Sequence, residues 1–65
     1  MIEKIGTTAG EIWHLLNERG EMSISRVTSE IDAPQSIVYM GIGWLAREDK
    51  LEFTKKTRGI FIKLK

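Results

Sequence analysis

Residues 55–58, Lys-Lys-Thr-Arg, place three cations within four positions. That density suits phosphate oxygens, which attract positive charge and accept N–H hydrogen bonds. Upstream, Gln35-Ser36 follows Pro34. A glutamine amide donates and accepts at once and can pair with the edge of adenine, while a serine hydroxyl suits either a base or a phosphate. Neither group forms a reaction centre. The chain has no cysteine and one histidine, His14, so it offers no thiolate metal site and no histidine cage. No nucleophile and base occur in a credible local context. Gly41-Ile42-Gly43 sits inside a helical pattern, whereas a dinucleotide-binding loop must follow a strand. The expectation is a protein that is not an enzyme, with no catalytic residue, metal, cofactor or small-molecule substrate.

The charges are unevenly shared. Net charge is +1 overall, yet residues 1–49 carry four basic and eight acidic groups (−4) and residues 50–65 carry six basic and one acidic (+5). A cationic tail on an acidic body points to a polyanionic or acidic partner. The competing reading is a solvated strand pair whose lysines guard its edge against aggregation. At 65 residues the chain is expected to be one domain, 1–65, of marginal stability, which a second subunit would improve. No apolar run approaches the roughly 20 residues that cross a bilayer, and MIEKIG lacks the layout of a signal peptide, so the expected location is cytoplasmic, away from membranes.

Three helices and a hairpin must position these groups. Thr8-Ala9-Gly10-Glu11 reads as a capping box opening a first helix over about 8–19, with Ile12, Leu15 and Leu16 inward and Gly20 as its stop. His14 falls outward. Ile24, Val27 and Ile31 give a second helix over about 24–31, capped by Ser23. Asp32-Ala33 makes a turn, and Pro34 suits the first position of a third helix, about 34–48. On that helix, Val38, Gly41, Ile42 and Leu45 form the inward stripe, and Ser36, Met40, Gly43 and Arg47 the outward one. Most of its circumference is apolar, which calls for neighbours on more than one side. Glycine costs about 1 kcal/mol in a helix relative to alanine. Gly41 would admit a neighbouring helix, and Gly43 would admit another backbone from outside the monomer. Beyond Lys50 the period becomes two: strands over about 51–55 and 60–64 turn Leu51, Phe53, Ile60, Ile62 and Leu64 to one face, with Lys55–Gly59 as the loop.

This order is α+β, mainly α, and resembles the winged helix-turn-helix: three helices followed by a C-terminal β-hairpin wing. The stretch SISRVTSEIDAPQSIVYMGIGWLAREDKLEF is similar to the capped second helix, turn, third helix and first wing strand of that superfamily. Asp32 and Asp49 stand where many members have glycine, and aspartate reaches left-handed conformations more readily than most residues. Within the superfamily, IGWLAREDK at 42–50 resembles the signature of a family of small stand-alone prokaryotic winged-helix domains, across nearly the whole chain.

The resemblance implies a DNA-binding, transcription-associated role in which the third helix enters the major groove. Transferred here, Gln35, Ser36, Tyr39, Met40 and Arg47 face DNA, and Lys55, Lys56 and Arg58 meet phosphates, with Arg26 as helper. Against this, no basic residue lies between Pro34 and Ala46. Two copies would compensate, so a homodimer is expected. The alternative is a homodimerisation or protein-interaction module with no specific DNA binding, using Tyr39, Met40, Gly43, Trp44 and Phe61, joined by Ile2 and Ile5. Trp13 and Trp44 are read as core or interface residues rather than stacking platforms, and Phe61, outward by alternation, as an intersubunit contact.

Overall fold

The computed structural model describes residues 2–65. Its elements run α1 (Ile2–Arg19), β1 (Met22–Ser23), α2 (Ile24–Glu30), α3 (Gln35–Arg47), β2 (Leu51–Lys56) and β3 (Gly59–Leu64). The strands form one antiparallel sheet in the order β1-β3-β2.

Helix α1 begins at Ile2, so the capping box expected at Thr8 and Glu11 is not there. Thr8 lies inside the helix and is buried against the turn before α3. A Thr-x-x-Glu string caps only where the chain enters a helix, and here Ile2 and Ile5 already carry helical spacing upstream. Glu3 in the first turn complements the positive end of the helix dipole. Gly20 ends α1 as expected, with φ +77° and its N–H donating to the Leu16 carbonyl at 2.8 Å.

Ser23 caps α2: its Oγ accepts from the Arg26 N–H at 3.0 Å. The same residue closes β1, a two-residue strand absent from the sequence expectation, in which Met22 pairs with Ile62 and Ser23 with Phe61. Pro34 is the N-cap of α3 rather than its first helical residue, and Glu48 is the C-cap. Of the two aspartates standing in for glycine, only Asp49 adopts a left-handed conformation, at φ 60°. Asp32 makes its turn without one.

The core is a single cluster: Ile12 and Leu16 from α1, Val27 from α2, Val38, Ile42 and Leu45 from α3, and Met22, Leu51 and Ile62 from the sheet. The inward stripe read from the sequence of α3 is the buried one, joined by Ile37 on the flank. Gly41 is buried where α3 packs against α1. A Cβ there would lie 3.0 Å from Ile12 Cδ1 and 3.3 Å from the Ala9 backbone nitrogen.

The hairpin turn is tighter than the expected Lys55–Gly59 loop. Lys56 pairs with Gly59 across the ladder, leaving Thr57 and Arg58 at the tip and Gly59 at φ +134°. Register places Phe53 opposite Ile62 and Lys55 opposite Ile60 on the helix-facing side of the sheet. The wing extends past the helices, so Phe53 and Ile60 keep the orientation read from alternation but stay about half exposed.

Candidate nucleic-acid interface

Helix α3 exposes Gln35, Ser36, Tyr39, Met40, Gly43, Trp44 and Arg47, so none of the described elements covers its outer side. At its start, the Gln35 amide donates from Nε2 to the Tyr39 hydroxyl at 2.8 Å. This pair holds both side chains one turn apart on the same flank, leaving the Gln35 carbonyl oxygen to accept. Pro34 gives α3 no side-chain cap, so the first backbone N–H groups of the helix face outward with their partial positive charge. A Cβ at Gly43 would meet nothing within 4 Å, and a flat strip of backbone is open there. Arg47 is exposed, with no ion-pair partner among the described residues.

The wing cations differ from one another. Lys55 projects from the helix-facing side of β2, and Arg58 stands at the turn, both without an ion pair among the described residues. Lys56 emerges on the other face. There its ammonium bonds Glu21 Oε1 at 2.6 Å and lies 4.5 Å from the centre of the Phe61 ring. A phosphate contact by Lys56 must therefore compete with a carboxylate already in place. Arg26 is engaged as well, its Nε donating to Glu30 at 3.2 Å while Arg19 reaches the same carboxylate at 3.3 Å.

Carboxylates mark the edge of this surface. A shallow cleft on the α1 side of α3 is lined by Glu3, Glu11 and Asp32 together with Thr8, Pro34 and Ile37. Lys4 lines the same cleft, so three carboxylates and one cation leave it with net negative charge.

The residues singled out for an interface between copies divide into two places. Met40 and Trp44 line one groove with Ile5, and Ile2 is exposed on the same end of α1. Phe61 lies apart, on the outer face of the sheet beneath Lys56. The Glu21–Lys56 bond could not be read from the sequence, because the two residues meet only when β1 and β2 both pair with β3.

Other chains resemble this one in sequence and in fold. An uncharacterized protein of Methanocaldococcus jannaschii is 49% identical over 65 residues, covering 95% of this chain and 91% of the relative. A solution NMR structure of a protein from Bacteroides thetaiotaomicron superposes with a TM-score of 0.83 at 32% identity, over 95% of this chain and 76% of that one. The model of the winged helix-turn-helix domain family DUF2582 matches residues 1–64. With three helices, the antiparallel sheet and the projecting hairpin all in their places, this chain belongs to that winged helix-turn-helix family.

Proposed function

We propose that this domain binds duplex DNA, with α3 in the major groove and the wing on the phosphate backbone, in a transcription-associated role. The observation that carries the reading is the exposed outer face of α3 together with the two wing cations, Lys55 and Arg58, that no carboxylate among the described residues holds. Gln35, Ser36 and Tyr39 supply polar contacts at the start of the helix, where a helix-turn-helix reads base edges. Met40 and Gly43 form an apolar floor suited to thymine methyl groups, and Arg47 reaches a phosphate from the far end. With few cations available, binding by one copy is weak and strongly salt-dependent.

The test is fluorescence anisotropy on a random-sequence duplex across a salt series, comparing the wild type with Lys55→Ala/Arg58→Ala. Each phosphate contact contributes about 0.9 to the slope of log K against log salt. The double variant is expected to flatten the slope by about 1.8 and weaken binding at low salt. Unchanged affinity and slope would remove the wing from the mechanism, and no binding by the wild type at low salt would remove DNA.

A further inference from the structure

The first two turns of α1 are an overhang. No residue from Ile2 to Thr7 is buried, and Ile2 is 71% exposed. These turns continue an 18-residue helix whose later turns pack in the core, and they leave Ile2 exposed and Ile5 only partly covered. Beside it runs an apolar groove between α1 and α3, lined by Ile5, Met40, Trp44, Arg47 and Glu48. Past Trp44 the groove continues over Gly6, Gly10 and Trp13. A Cβ at Gly6 or Gly10 would meet nothing within 4 Å, so a further helix has room to approach.

We propose that the occupant is a second copy of this chain: the α1 overhang of each copy lies in the α1–α3 groove of the other, making a two-fold dimer. Charge argues for this occupant. The overhang carries adjacent opposite charges, Glu3 and Lys4, and the end of the groove carries another such pair, Arg47 and Glu48. Glu3, Lys4 and Arg47 have no ion-pair partner among the described residues, while Glu48 has a long, exposed one, Lys50 of its own chain at 3.7 Å. A two-fold axis makes each copy donate the patch it also receives, so Glu3 of one faces Arg47 of the other while Lys4 faces Glu48. A polyanion would meet Glu3 and Glu48, and a partner of one charge sign would match only half of either pair. Tryptophan, methionine and arginine at the groove are also the residue types enriched at subunit contacts.

The dimer takes Met40 and Arg47, which the proposed DNA contact also uses, so the two sites overlap toward the end of α3, and the start of α3 and the wing stay open. Trp44 follows Tyr39 by five residues, which sets them about 140° apart around the helix. The groove therefore takes the α1 flank of α3, and Gln35, Ser36 and Tyr39 keep the other. Phe61, on the outer face of the sheet, has no part in this contact.

Sedimentation of the full chain from about 10 to 500 µM tests the proposal, with circular dichroism reporting the fold. The wild type is expected to sediment as a dimer. Ile5→Glu is expected to weaken association at least tenfold with its helix content retained, and Ile2→Glu, at a position too exposed to affect the core, is expected to do the same. Arg47→Glu should weaken association, and Glu3→Lys added to it should restore association. A wild type that stays monomeric throughout, or Ile2→Glu and Ile5→Glu variants that associate like the wild type, would overturn the dimer. A charge swap that fails to restore association would overturn the reciprocal arrangement.

Discussion

Gly41 and Gly43 sit two residues apart in one helix and face opposite environments, so a single methyl group asks a different question at each. At Gly43 the added Cβ enters open space, and only the helix propensity changes. Gly43→Ala is expected to raise stability by about 0.5–1 kcal/mol. At Gly41 the same methyl meets Ile12 Cδ1 at 3.0 Å and, less yielding, the Ala9 backbone nitrogen at 3.3 Å. Overpacking of this kind costs about 1–3 kcal/mol, so Gly41→Ala is expected to lower stability despite its better propensity. Denaturant titrations of the two variants at low protein concentration check both signs together. The direction of each glycine was legible from the 100° spacing of α3. The identity of the neighbour was not, because Ala9 and Ile12 reach Gly41 only when two helices pack.

Among the elements, α2 leans most on a single side chain. It has seven residues, too few to be stable alone, and Ser23 satisfies one of its free N–H groups. Ser23→Ala is expected to cost about 1 kcal/mol, read as a shift in the denaturation midpoint with an unchanged slope. The cap could be read from the sequence because a cap is a local interaction. The strand that ends on the same residue could not, since two residues show no period and their partners lie at the far end of the chain. A second tie joins the end of β3 to the turn after α3. The Lys65 N–H donates to the Lys50 carbonyl at 3.0 Å, and its ammonium bonds Asp49 at 2.6 Å. That hydrogen bond and the Asp49 charge raise the Lys65 pKa above its ordinary 10.5. A raised ammonium pKa gives stability that is complete below about 10.5 and is lost as pH rises through the higher folded value. Both side chains are largely in water, so Asp49→Asn, which keeps a residue tolerant of the left-handed backbone, is expected to leave neutral-pH stability almost unchanged. Thermal melts at pH 7 read the difference.

At the scale of the molecule, the acidic body does more than sit beside a basic tail. Glu21 reaches across the sheet and holds Lys56, so one of three wing cations is neutralised from within. Glu21→Gln is expected to release that cation, tightening binding to a duplex at low salt and steepening the salt slope by up to about 0.9. Binding unaltered in affinity and slope would show that Lys56 stays on its outer face even when freed. On the α1 flank of α3, Glu3, Glu11 and Asp32 gather in one cleft with a single cation, Lys4, so the acidic body concentrates negative charge away from the wing.

Periodicity alone determined three helices, a hairpin, the buried stripe of α3 and the outward position of Phe61, because each depends on spacing along a few consecutive turns or strand residues. Where the first helix starts was misread for the same reason: a capping string is a local pattern, and nothing local shows that Thr8 is already inside a helix. Only the tertiary structure decided that a two-residue strand completes the sheet, and that Arg26 and Lys56 are held by carboxylates while, among the described residues, Lys55 and Arg58 are not. Those facts depend on which distant segments come within a few ångströms of each other, and charge pairing at that distance leaves no mark on the spacing of residues.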